Sequence, residues 1–391
     1  MFRPYSVLPF ILVALLVLAS CSKRFKADRE EVPMDAVWPV VQGSVDRLGS
    51  HDSGTFQGLL HPKWKSGSSG KPVANPTLYS GVLVYPETKK KIRFLDIETG
   101  KDRGRIKVKG IPQSGVVLAD SVAYFATGPK RNRVRAVDVL RNRTLWKREV
   151  KDVLEGPIIV GDRLLVSSSQ GILLALDPAE GETVWRFQAE QRLTASASFS
   201  DGRIFQPADR GTLYVLSSGD GELLYDVRLD GPIVNVVAVT DRAFVNDVNG
   251  NVYGLDPKDG TILWKASLNA PVWGAPTIAH GRVYVGHSDG GLVALDQTTG
   301  VEVWRYDVGE VVKASPLAVG SYLVAGTLRG NVISLDAETG TLVDSSRVKG
   351  AIEYAPITDG RRLFVVTQSG EIVCFGESDE PHNRADHGGQ P

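Results

Sequence analysis

Apolar and polar residues alternate with period two in short runs along most of this chain, and turns rich in glycine and aspartate separate the runs. One stretch shows the unit, residues 271 to 310. An apolar segment ends at Pro276, and a His280-Gly281 turn leads into Arg-Val-Tyr-Val-Gly. An Asp289-Gly290 turn then leads into Gly-Leu-Val-Ala-Leu, and a turn starting at Asp296 leads into Val-Glu-Val-Trp-Arg-Tyr. This pattern predicts four strands of about five residues joined by hairpins. No window in the repeat region holds helical spacing, so the fold class is all-β.

The unit recurs. Its last turn starts at Asp96, Asp138, Asp177, Ser217, Asp256, Asp296 and Asp336, with gaps of 42, 39, 40, 39, 40 and 40 residues. A truncated eighth copy lies at 370 to 375. Four short strands at this period predict a β-propeller. Gly100, Gly181, Gly221, Gly260, Gly300 and Gly340 share one turn slot, which calls for positive φ, and Asn142 is the exception. Each turn aspartate is expected to accept backbone N–H groups inside its own turn. Eight residues beyond the turn start lie Trp146, Trp185, Tyr225, Trp264 and Trp304, with Gly104 and Asp344 in the first and seventh copies. The rings are expected to pack between blades and to carry no chemistry.

The last copy has no fourth strand, because Glu-Ser-Asp-Glu-Pro-His follows its third. Trp64 lies 40 residues before Gly104, in the ring register but with no blade ahead of it. The strand around Trp64 is therefore expected to complete the last blade and close an eight-bladed ring.

The ends differ in kind. An apolar run from Val7 to Leu18 is too short to span a bilayer and ends in Leu18-Ala19-Ser20-Cys21, which resembles a bacterial lipoprotein signal with lipidation at Cys21. Ser22 in place of aspartate points to the outer membrane, with the protein facing the periplasm. The expected organisation is a signal at 1–21, a tether at 22–60, a propeller at 61–376 and a disordered tail at 377–391. Formal charge is zero, with 45 basic and 45 acidic residues, and no basic stripe points to nucleic acid. Cys374 occupies a slot held elsewhere by Ala136, Ala175, Gly254, Ala294 and Ser334, so it reads as a small buried residue. The six histidines form no metal-ligand spacing on a predicted element, and no nucleophile elbow or phosphate loop stands in a convincing context. The expectation is therefore no catalytic residue, no metal and no cofactor.

The segments Ala-Leu-Asp-Pro-Ala-Glu-Gly-Glu-Thr-Val-Trp at 175 to 185 and Ala-Leu-Asp-Gln-Thr-Thr-Gly-Val-Glu-Val-Trp at 294 to 304 resemble the tryptophan-docking repeat of quinoprotein-type propellers. That superfamily includes the pyrroloquinoline quinone dehydrogenases and the BamB lipoproteins of outer-membrane β-barrel assembly. Chain length, the lipobox and eight blades without long insertions are similar to the BamB family. The resemblance implies a non-catalytic scaffold that binds the barrel-inserting protein. BamB proteins of the well-known type grip that partner with two extended middle loops, whereas the matching connections here, 188 to 198 and 226 to 234, are short. Gln191, Arg192 and Leu193 are the candidate partner-binding residues. Two alternatives stay open: a quinone- and calcium-dependent dehydrogenase, and a propeller that binds some other envelope protein. The dehydrogenase would need a cluster of acidic and amide ligands, and none is evident outside the turns.

Overall fold

A computed structural model of the chain describes residues 36–38, 42–51, 55–79, 81–128 and 132–376. Cys21, the signal, most of residues 22–41 and the tail from 377 lie outside these residues. The described part is an eight-bladed β-propeller, and no helix occurs among the described residues. A typical blade is Thr277–Ala279, Arg282–Gly286, Gly291–Asp296 and Glu302–Asp307, paired antiparallel in that order from axis to rim. His61–Gly67 pairs with Glu371–Gly376 and supplies the rim strand of the eighth blade, with Trp64 opposite Cys374. First and last segments thus share one sheet, and the ring has no open seam.

Burial follows from the stacking of sheets. Second and third strands such as Val82–Glu87 and Asn251–Leu255 are buried throughout, because both faces meet a neighbouring blade. The rim strands keep the two-residue alternation, as in Leu342–Arg347, and so do the third strands of the first two blades, Lys91–Asp96 and Arg133–Asp138, in sequence. From the third blade on the inner strands, such as Ile172–Leu176, are near-continuous apolar runs.

The expected tether at 22–60 needs correction. Ala36–Trp38 pairs with Thr77–Tyr79 as an extra axis-side strand of the first blade. Ser50–His51 runs parallel to Leu317–Val319 in the seventh. Between them the backbone crosses four blades: Phe199 N donates to Val45 O, Val239 N to Asp46 O, Ile278 N to Leu48 O and Ala318 N to Gly49 O, at 2.8 to 3.1 Å. The innermost strand of each blade has a free edge toward the axis, and this segment satisfies N–H groups that would otherwise lack a partner. Residues 55–60 then cross to the eighth blade, with Phe56 buried edge-on against Tyr322 at 5.9 Å.

Candidate functional site

Each docking ring leaves its own blade and lies on the turn of the next. A Cβ on Gly300 would sit 2.4 Å from the Trp264 ring, and the Trp264 indole N–H donates to Gln297 O at 3.1 Å. The same pair of contacts joins Trp64 to Gly100 and Ile97 O, Trp146 to Gly181 and Pro178 O, Trp185 to Gly221 and Ser218 O, and Trp304 to Gly340 and Ala337 O. Tyr225 lies on Gly260, and its hydroxyl donates to Pro257 O. The turns themselves are tied by their aspartates. Asp336 Oδ1 accepts from Glu338 N, Thr339 N and the Thr339 hydroxyl, and these bonds hold its carboxyl below the usual range. Asp96 and Asp296 accept the matching three bonds, Asp177 accepts two backbone N–H groups, Asp256 accepts Lys258 N, and Asp138 accepts Arg141 N and the Arg141 guanidinium. The rings join each blade to the next, and the aspartates fix the turns on which the rings lie.

The axis is occupied by the protein's own chain. Arg47 is 1% exposed and donates from Nη2 to Ser196 Oγ and Ala197 O, both at 3.1 Å. Burial lowers its pKa to about 10, against the favourable charges of Glu155 and Asp46, so it stays cationic at neutral pH. Glu155 Oε2 accepts from Ser196 N and Oγ, which ties the third blade to the fourth beneath the guanidinium. The space left beside Arg47, between Asn75, Gly115, Glu155 and Ser196, is about 20 Å³, enough for about one water. Gln42 is also buried and donates toward Ala275 O and Pro276 O. Sequence reasoning missed this site, since nothing in the local pattern at 42–51 marks a partner two hundred residues away.

The connection 188 to 198 lies elsewhere, on the face that carries the links between blades. It borders a cleft of about 740 Å³ whose wall includes Gln113, Asp152, Ser169, Gln170, Gln188 and Arg192. Gln191 clamps the neighbouring turn: its Nε2 donates to Thr212 Oγ1 at 2.9 Å and its Oε1 accepts from Arg210 N. Arg192 is exposed and, among the described residues, is held through its backbone, where its carbonyl accepts from Asp209 N. Leu193 needs correction as a contact residue: it bridges to Ala208, is 1% exposed and belongs to the core. The two residues point apart because adjacent side chains in extended backbone take opposite sides. In the second short connection, Asp230 pairs with Lys265. Among the described residues no group of three His, Cys, Asp or Glu side chains is placed to hold a metal ion.

Blades, closure and ring docking together define a quinoprotein-type propeller. The family model of the outer membrane protein assembly factor BamB matches residues 61–187, 169–246 and 236–387, so the chain belongs to that family. BamB of Yersinia pestis is 21% identical over 298 residues, 66% of this chain and 70% of that protein, and BamB of Moranella endobia is 22% identical over 180 residues, 46% of its length. Among solved structures, BamB from Moraxella catarrhalis superposes with a TM-score of 0.71 at 19% identity, covering 83% of this chain and 99% of that one. A europium-containing methanol dehydrogenase superposes with a TM-score of 0.76 at 12% identity, covering 87% and 98%. Shape alone therefore does not separate scaffold from enzyme.

Proposed function

We propose that this protein is a non-catalytic, lipid-anchored scaffold that faces the periplasm at the outer membrane and assists assembly of β-barrel proteins by holding the barrel-assembly protein. One observation carries the non-catalytic half: residues 42–51 cross the axis-side edges of the blades, where the dehydrogenases of this superfamily hold quinone and calcium. A cofactor there would have to displace backbone bonded to four blades and strip a buried guanidinium of its partners, which costs several kcal/mol. Membership of the BamB family supports the assembly half. The docking surface is the cleft at 188 to 198, with Arg192 the cation free to meet an acidic partner residue and Gln191 holding the loop in place.

The assignment is tested by purifying the protein from detergent-solubilised envelopes and identifying what accompanies it. Recovery of the barrel-assembly protein is the expected result. Reduction of an artificial electron acceptor by alcohols in the presence of quinone and calcium would replace the scaffold with an enzyme. Anchoring is tested separately, since Cys21→Ala is expected to release the protein into the soluble periplasm.

A further inference from the structure

The formal neutrality of the chain hides a steep asymmetry. Residues 86–151, which make most of the first two blades, carry 18 Lys and Arg against 7 Asp and Glu, whereas residues 152–391 carry 18 against 32. The fold concentrates this excess instead of neutralising it. In the first blade Lys91 stands directly opposite Lys107, and Arg93 opposite Arg105; in the second, Arg135 stands opposite Lys147. Side chains so paired have Cβ atoms about 5 Å apart, and like charges there destabilise the sheet. Glu87 and Asp102 neutralise Lys91 and Arg93 at 3.5 and 3.6 Å. Lys89, Lys90, Lys107 and Lys109 have no ion-pair partner among the described residues, and all four are exposed. Backbone contacts gather them at one end of the blade: Val108 N donates to Lys90 O, Thr88 N to Lys71 O, and the Arg135 guanidinium to Lys109 O.

We infer that this lysine-rich end of the first two blades docks on an anionic lipid surface. Unpaired lysines on flexible stems act as point charges, which suits a fluid array of phosphodiester headgroups better than a fixed bidentate site. No aromatic side chain described in these blades is exposed, so the platform on which single-stranded nucleic acid stacks is missing there. Reach allows the same surface to carry the anchor. Ala36 pairs with Tyr79 at the opposite end of the first blade from the lysines, and the fifteen residues back to Cys21 can span at most about 50 Å, more than the length of a six-residue blade strand such as Val82–Glu87. That step rests on the lipid anchor; the charge argument does not, and neither depends on the barrel-assembly protein.

The test uses the Cys21→Ser form of the full chain, exported and purified without detergent, so that acyl chains do not carry the binding. Co-sedimentation is measured with vesicles of phosphatidylethanolamine and phosphatidylglycerol, and with phosphatidylcholine alone. Binding to the anionic vesicles only, lost at ~0.5 M salt, is expected. The triple variant K89E/K90E/K107E should bind at least about tenfold more weakly. Its melting temperature should hold or rise, because a carboxylate at position 107 would face Lys91. An R329E/K349E variant on the seventh and eighth blades should bind like the parent. Equal binding by the K89E/K90E/K107E variant overturns the inference. So does a parent that ignores anionic vesicles; if the triple variant then also loses an acidic protein from purification, the patch belongs to that protein.

Discussion

Asp336 shows how the local chemistry of one residue sets a property of the whole protein. Its carboxylate accepts three hydrogen bonds within one turn, and its pKa is held below the unfolded value, as are those of Asp96, Asp138 and Asp296. A depressed folded pKa means that the contribution is complete above the unfolded value of about 3.9 and is lost as pH falls through the folded one. Thermal unfolding between pH 6 and 3 should therefore show stability falling below about pH 4. Asp336→Asn should lower the melting temperature at pH 6 and flatten the acid limb. Cys374 is the opposite case: it is fully buried opposite Trp64, and burial pushes its thiol up to about 12. A thiol reagent should label it only after unfolding. Turn aspartates and the small slot at Cys374 were legible because a repeated position reveals its own role. The inward turn of Leu193 was not, since Arg192-Leu193 gives no local sign of which side chain faces the core.

Between elements the unit of stability is a ring on one blade and a glycine on the next. The exceptions follow the same rule. In the second blade the glycine slot holds Asn142, with φ of 50°, and the ring position that would lie on it is Gly104. Opposite Gly104 stands Phe94, where the ringed blades carry a small residue such as Ala136, Ala175 or Ala294, so the bulk moves to the third strand. In the seventh blade the ring position is Asp344, because the eighth blade has no turn between its third and fourth strands: they come from opposite ends of the chain. Asp344 Oδ2 instead accepts Leu60 N at 2.7 Å, where the chain enters the rim strand His61–Gly67 of the eighth blade. Gly300→Ala should destabilise by about 2 kcal/mol or more, through both positive φ and the clash with Trp264. Combined with Trp264→Ala, which alone should cost about 3 kcal/mol, its effect should shrink, since one of its two causes is gone. Denaturant unfolding of the two single variants and the double variant measures this. The sequence displayed ring and glycine periods separately. Their pairing, more than thirty residues apart, became visible only when blades were stacked.

At the scale of the molecule, the ring is secured twice: closed at the rim by His61–Gly67 and braced across four blades at the axis by residues 42–51. The closure was legible from the position of Trp64. The brace was not, because the unpaired inner edges that draw this segment in exist only after eight blades have formed. Arg47→Ala should cost about 3 kcal/mol, since Glu155 and Asp46 lose the buried cation that offsets them. Its melting curve should show a clear drop, whereas Arg192→Ala should leave stability unchanged and weaken partner capture. Family membership and an occupied axis support the proposal of a scaffold, and that proposal puts its working surface at the inter-blade cleft. The most direct measurement is a photocrosslinker placed at position 192 in living cells, with mass spectrometry of the adduct. The barrel-assembly protein crosslinked from 192, and not from the rim position 343, is the expected result; an adduct with a different envelope protein, or none at 192, would contradict it.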